Sequence, residues 1–376
     1  MQPARVVHVA PALFGAAGVI GGAERYVLEL ARYMAECTPT RLVAFGVEDR
    51  SESIGDLEIR VIGNPWYVRR QRFNPLSFSM FAELRNADVV HCHQQHVLAS
   101  SLAALFCRLS RKPVFVSDLG GGGWDVSAYV STDRWYDGHL HISEYSRRCF
   151  GHSDNPAAHV ILGGVDIEKF SPGESIKRDR TVVFVGRILP HKGINDLINA
   201  LPPHLELEII GHAADQRYLN DLHRLAWGKR VIFRHDCGDD TLIDAYRRAL
   251  CVVLPSVYRT MYGHETRVPE LLGQTLLEGM ACGAPAICTD VASMSEIVEA
   301  GISGFVVGPG DPAALRQSIQ WLAEHPVEAA AMGRAGRRRV AEKFTWPQVV
   351  KRCFDAYESV LPYPLRDVVL NGGPKP

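Results

Sequence analysis

The sequence predicts an α/β fold built from two doubly wound domains in tandem. Three observations lead there. Short apolar runs of strand length alternate with helical patterns along the whole chain. The alternation restarts at Thr181, after a stretch containing Ser171-Pro172-Gly173 and a run of charges. Glycines and basic residues follow directly on strand-length runs, where sheets of this kind bind ligands.

In the first half, strands are expected at Arg5 to Ala10, Arg41 to Gly46, Glu58 to Ile62, Ala87 to His91, Pro113 to Ser117 and Gly138 to Ser143. Helices are expected at Ala23 to Ala35, Leu76 to Arg85, Val97 to Leu109 and Ser143 to Phe150. The first of these carries Tyr26, Val27, Leu30, Ala31 and Met34 on one face. In the second half, strands are expected at Thr181 to Val185, Leu205 to Ile210, Val231 to Arg234, Cys251 to Pro255, Ala286 to Thr289 and Gly304 to Val307. Helices separate them at Ile194 to Leu201, Asp215 to Trp227, Asp239 to Leu250, Thr275 to Cys282 and Ser293 to Ala300. Three more helices end the chain: Pro312 to Ala323, Val327 to Phe344, and a last one to about Val360. The expected domains are 1–170 and 181–345, joined by a linker at 171–180 and facing a central cleft.

The hydrophobic fraction of 47% fills substantial cores. A net charge of −1 argues against a nucleic-acid binder. No apolar run spans a bilayer and the N-terminus has no signal-type core, so a cytoplasmic protein is expected. Nine scattered cysteines without paired spacing, among them Cys107, Cys251, Cys282 and Cys288 in apolar runs, point to packed thiols. His91, Cys92, His93 and His96 are the one cluster with metal-ligand character. Lacking a second cluster to pair with, it reads as a polar strand end, and no metal is expected.

Three segments carry chemistry. In Gly186-Arg187-Ile188-Leu189-Pro190-His191-Lys192-Gly193, a strand ends in glycine and two cations follow, suited to a diphosphate. In Glu270 to Glu278, two acids flank Gly273-Gln274-Thr275-Leu276, which opens a helix. A helix opening offers unpaired N–H groups and a positive dipole end, also suited to phosphate, with a hydroxyl for each carboxylate. Near the N-terminus, Gly21 and Gly22 follow a loop containing Gly15 and Gly18, which lets backbone approach a ligand. The chain lacks Gly-x-Gly-x-x-Gly there, which disfavours a dinucleotide oxidoreductase. Four consecutive glycines, Gly120 to Gly123, cost chain entropy and require a close-approach or mobile loop. Trp124 and Asp125 follow it. The arginines Arg69, Arg70 and Arg72 beside Trp66, Tyr67 and Phe73 suit an anionic acceptor or a membrane surface, with a solvated loop as the plainer account. Arg334, Arg337, Arg338 and Arg339 are expected on a charged helix face.

These segments resemble the motifs of retaining glycosyltransferases with the GT-B fold, especially glycosyltransferase family 4 (glycosyl transferases group 1). Glu270 to Gly283 is similar to the family's Glu-x7-Glu element, normally Glu-Gly-Phe-Gly at its start; Leu271 and Leu272 depart from it. The Arg187–Lys192 loop matches Gly-Arg-x4-Lys-Gly at all four positions. Gly21 to Glu24 resembles Gly-Gly-x-Glu, Gly163 to Phe170 the hinge entry, Gly211-His212 the strand end approaching the base, and Thr345-Trp346 the crossing of the last helix, which implies that 346–376 completes the first domain. Pro255-Ser256 resembles the Pro-Ser before the first acid, here followed by a long loop, Val257 to Pro269. The resemblance implies that Arg187 and Lys192 bind the donor diphosphate, Glu270 the transferred sugar and Glu278 the ribose. It also implies that Gly21, Gly22, Gly211 and residues Gly273 to Leu276 line the donor. Leu119 stands where many relatives carry a sugar-contacting His, so that role is not carried over; Asp118 or His93 are the substitutes, with Trp124 toward the acceptor.

The implied function is a retaining, metal-independent hexosyltransferase that moves sugar from a nucleoside-diphosphate sugar to an acceptor hydroxyl. A UDP-sugar is the first donor considered, with GDP- and ADP-sugars as others. The first domain would bind the acceptor and the second the donor. The alternatives are a non-catalytic nucleotide-sugar-binding protein, suggested by Leu119, and a sugar-nucleotide epimerase.

Overall fold

Val7 and Val9 face one side of the first strand, Ala10 the other, and both sides are buried. Such two-sided burial requires helices on both faces of a sheet. The computed structural model describes residues 4–13, 22–71, 73–120, 123–173, 178–235 and 237–361. It divides into two compact units, one of residues 1–142, 147–162 and 346–376, the other of residues 143–146 and 163–345.

In the first unit eight strands form one sheet, in the order Ala158–Val160, Gly138–His141, Val114–Ser117, Val89–His93, Val6–Leu13, Thr40–Gly46, Leu57–Gly63 and Arg50–Ile54. All neighbours are parallel except the last pair. On one face Val7, Val9, Val90, Val114 and Val116 pack against Ala99, Ala103 and Cys107 of the helix Leu98–Leu109. On the other, Leu42, Ala44 and Ile59 pack against Val27 and Ala31 of the helix Gly22–Ala35. The helix Trp346–Glu358 belongs to this unit, as the sequence led us to expect. Trp346 meets the Tyr26 ring edge-on at 5.2 Å, and the Tyr357 hydroxyl shares a 2.8 Å hydrogen bond with His91 Nδ1.

In the second unit six parallel strands run in the order Val231–Arg234, Glu206–Ile210, Thr181–Val185, Cys251–Leu254, Ala286–Thr289 and Gly304–Val307. Read in chain order this is 3-2-1-4-5-6, so the direction of winding reverses between Thr181–Val185 and Cys251–Leu254. Crevices at such reversals, outside the carboxyl strand ends, are where doubly wound sheets take ligands.

Several expectations need correction. The strand expected at Ala87 to His91 runs Val89–His93, because both histidines are buried within it. The helix expected from Leu76 is shortened to Met80–Leu84, since Pro75–Leu76 instead pairs antiparallel with Trp66–Tyr67. The edge strand Arg50–Ile54 was not anticipated. The chain passes between units at Leu162/Gly163, ahead of the expected linker, and residues 174–177 of that linker lie outside the described ones. Arg337 and Arg339 are half-buried and do not form a solvated face. Arg337 donates to the carbonyls of Phe170, Ala281 and Ile167, and Arg339 to those of Ile297 and Glu296, because carbonyls at helix ends and turns there need donors.

Removing the Tyr357 hydroxyl leaves a buried imidazole nitrogen unsatisfied. Tyr357→Phe should therefore lower unfolding free energy by about 1–3 kcal/mol in urea titrations, with no loss if the final helix is only loosely docked.

Candidate functional site

At the reversal in the second unit, Val185 leads into Gly186 and Arg187, and Leu254 into Pro255 and Ser256. The two strand ends are tied across: the Val257 N–H donates to the His191 carbonyl at 2.8 Å. Gly193 makes this possible. Its φ is +65°, and a Cβ there would lie 1.9 Å from the Pro255 carbonyl oxygen. Lys192, one residue before, is 9% exposed and forms an ion pair with Glu270. Arg187 is exposed at the same strand end. His191 is drawn down to about 4, first by burial and then by Lys192 and Arg187, against an opposing pull from Glu270. It is therefore neutral near pH 7 and adds no third positive charge.

Gly273 caps the helix Gln274–Ala281 with a left-handed backbone (φ +72°), a conformation that favours glycine. Leu276 is buried and its N–H already bonds the Gly273 carbonyl at 2.9 Å. The open donors of this tip are those of Gln274 and Thr275, which have no partner a turn earlier. Gln274 also donates its side-chain amide to the Gly164 carbonyl at 3.0 Å, fastening the tip to the start of the unit. Glu278 is 4% exposed and accepts from the Tyr246 hydroxyl at 2.9 Å. Gly211 ends the strand beside Thr181–Val185 and packs against the Gly186 carbonyl.

The long loop after Pro255 is an ordered excursion. Arg259 and Glu265 pair across it as an antiparallel bridge. Tyr258 accepts from the Ala292 N–H at 2.9 Å, and Tyr262 bonds Asp221 while Arg217 lies 4.6 Å above its ring.

In the first unit, sequence reasoning missed His8. It sits opposite His91 in register, and both share a sheet face with His93. His8 Nδ1 and His93 Nε2 are 2.9 Å apart, His8 Nε2 faces Met34 Sδ at 3.2 Å, and His91 Nε2 bonds the Ser117 hydroxyl at 2.9 Å. Ligand nitrogens of the three lie within 4.8 Å of one another, as do those of His139 and His152 with an Asp133 carboxylate oxygen. In the first set only His93 Nδ1 has no partner among the described residues, so the imidazoles read as a packed hydrogen-bonded layer. The other members of the expected cluster do not join it: Cys92 lies in the core and His96 bonds Ser127 at 3.0 Å. Asp118 ends the neighbouring strand and is 4% exposed. Its Oδ1 accepts from Gly120 N–H and Gln94, while Oδ2 is buried without a partner. Burial raises its pKa against those hydrogen bonds. Trp124 is held by its backbone to Gln71 and Asn74. Gly22 opens the first helix. Gly15, Gly18, Gly21, Gly121, Gly122, Arg72 and the tail 362–376 lie outside the described residues.

Comparison with known proteins speaks to the family and the fold. A family model described as "Glycosyl transferases group 1" matches residues 166–339, and one described as "Glycosyltransferase Family 4" matches residues 20–169. The chain is 27% identical over 399 residues to D-inositol 3-phosphate glycosyltransferase 1 of Catenulispora acidiphila, covering 92% of each protein. It is 28% identical over 320 residues to alpha-maltose-1-phosphate synthase of Mycobacterium tuberculosis, covering 73% of this chain and 79% of that one. Among solved structures, sucrose-phosphate synthase from Thermosynechococcus elongatus superposes with a TM-score of 0.73 at 19% identity, covering 95% of this chain and 99% of the other. Anabaena HepE in complex with UDP-glucose superposes with a TM-score of 0.71 at 18% identity, covering 95% and 100%. Likeness at that identity establishes the GT-B fold. No helix among the described residues is long and apolar enough to cross a membrane.

The histidine layer generates a pH dependence. Burial draws His8 down to about 3 and holds His91 and His93 well below the usual imidazole range; His93 and His8 add mutual repulsion. The groups facing them are Tyr357, Ser117 and Met34. An unfolded chain takes up protons on these imidazoles near the ordinary value of about 6.5, the folded chain only far below it. Stability is therefore full above that pH and is lost as pH falls, by about 2 kcal/mol per histidine at pH 5. Urea midpoints at pH 7 and 5 should differ accordingly, and His93→Gln should flatten the slope; equal midpoints would contradict the buried neutral layer.

Proposed function

Since the chain belongs to glycosyltransferase family 4, the group 1 glycosyl transferases, we propose that it moves a sugar from a nucleoside-diphosphate sugar to an acceptor hydroxyl with retention at the anomeric carbon. The observation that carries this reading is the Lys192–Glu270 ion pair at the winding reversal, beside exposed Arg187 and the Gly273 helix tip. The pair keeps two buried charges satisfied until a donor arrives. Lys192 then passes to the pyrophosphate, exchanging one anion for another, and Glu270 accepts a hydrogen bond from a hydroxyl of the transferred sugar.

Charge grows on the pyrophosphate as its bond to the sugar breaks. Lys192, Arg187 and the N–H groups of Gln274 and Thr275 stabilise that charge where it develops. These groups supply the neutralisation themselves, so the proposed reaction needs no metal. Retention follows from attack on the face the pyrophosphate leaves: the acceptor oxygen bonds the anomeric carbon, the carbon–phosphate oxygen bond breaks, and the departing phosphate takes the acceptor's proton. Gly211 and Glu278 belong to the nucleotide side, with Glu278 on the ribose once it releases Tyr246. Gly21 and Gly22 would face the donor. The first unit holds the acceptor, with His93, Asp118 and Trp124 as contacts. Asp118 is the preferred substitute at the position where Leu119 replaces histidine, because its Oδ2 has no partner. A UDP-sugar is the first donor to test, since the HepE structures hold UDP and UDP-glucose.

Lys192→Ala removes a charged hydrogen bond worth about 1.5–3 kcal/mol. Turnover efficiency with respect to donor should fall about ten- to hundredfold. In a double-mutant cycle with Glu270→Gln the losses should be non-additive, because the two side chains share one network. Unchanged efficiency in a folded Lys192→Ala protein would refute the assignment.

A further inference from the structure

We propose that the first unit docks on the surface of an anionic lipid bilayer through the hairpin whose strands are Trp66–Tyr67 and Pro75–Leu76. Two short strands, Trp66–Tyr67 and Pro75–Leu76, pair antiparallel and present the turn between them. Three large aromatic side chains on this one segment stand in solvent: Trp66 is 62% exposed, Phe73 74% and Phe78 71%. Isolated exposed apolar residues need no explanation, but a cluster on one short element marks an interaction surface. Arg69 and Arg70 are exposed in the same turn, both with left-handed backbone (φ +50° and +60°). Non-glycine residues hold such angles only when their surroundings enforce them.

The enforcement is visible from beneath. Val68 and Leu76 are buried at 1% and 2% exposure. Asn74 is fully buried, donates to the Trp124 carbonyl at 2.7 Å and accepts from the Leu98 N–H at 3.1 Å. The Val68 N–H bonds the Asn74 carbonyl at 3.0 Å, closing the turn. The hairpin is thus anchored on its inner side while its aromatic and basic groups point away from the core. Arg69 stacks 4.2 Å over the Trp124 ring, and Tyr129, 73% exposed, meets that ring edge-on.

Charge selects the partner. No Asp or Glu occurs between Glu58 and Glu83. Both of these bracketing acids are paired with Arg41, so neither opposes the arginines. Aromatic rings settle at the headgroup level of a bilayer, and arginines beside them reach anionic phosphates. Aromatic and arginine side chains also serve protein interfaces, so a chain that binds no vesicle would point to a protein partner and away from lipid. Placing this surface next to Trp124 also brings the acceptor-side loop to the lipid, which suits an acceptor carried on a lipid anchor.

The test is co-sedimentation of the full chain with phosphatidylcholine vesicles, with and without phosphatidylglycerol. Binding should require the anionic lipid and weaken as salt rises from about 0.1 M to about 0.5 M. R69Q/R70Q should weaken binding by about fivefold per arginine. W66S/F73S should weaken it further without changing the melting temperature, because both rings are exposed. The salt series on the unaltered protein decides the matter if either variant fails to fold. Equal binding to neutral vesicles, no vesicle binding, or unaltered binding by both variants would overturn the proposal. Capture by a soluble polyanion without vesicle binding would also overturn it.

Discussion

A buried ammonium facing a carboxylate is the interaction on which the chemistry proposed for the second unit depends. Lys192 and Glu270 each answer the other's charge at a place largely closed to water. Their pairing is made possible by backbone: the left-handed turn at Gly193 brings the loop after one central strand against the carbonyl at the end of the next. The winding reversal between these two strands opens the space above them. One residue with a side chain at position 193 would push the two strand ends apart and unmake the pair. Fold and site are therefore one constraint seen at two scales.

Much of this was legible in the sequence, for definite reasons. Thr181–Val185, Val231–Arg234, Ala286–Thr289 and Gly304–Val307 are found where apolar and β-branched runs set them. Arg187, Lys192 and Glu270 could be picked out because cations after a strand-terminal glycine and acids around a helix opening are local patterns. That Lys192 and Glu270 touch was not legible, since it needs the register of two parallel strands far apart in the chain. His8 was invisible for the same reason: only pairing with Val89–His93 puts it beside His91. Polar residues in a buried strand also misled the boundaries, so the strand was ended at His91 when it continues to His93. The Arg337 contacts reverse the usual reading of clustered arginines, because donors were needed by carbonyls of the chain's own turns.

The first unit carries its polar groups differently. Its layer of His8, His91 and His93 is neutral and is bonded from two helices, by Met34 on one side and Tyr357 on the other. The final helix thus closes a layer that begins in the first strand. At the same sheet end, Asp118 and His93 each keep one buried polar atom without a partner. Leu119 next to them is half-buried against the core.

The central claim is that the pyrophosphate of an activated sugar is gripped at the winding reversal of the second unit. A crystal structure with a bound nucleoside diphosphate tests it most directly. The account predicts the phosphates within hydrogen-bond distance of Lys192 Nζ, the Arg187 guanidinium and the N–H groups of Gln274 and Thr275, with Glu270 released from Lys192. Phosphates bound elsewhere on the chain, with the Lys192–Glu270 pair intact, would contradict it.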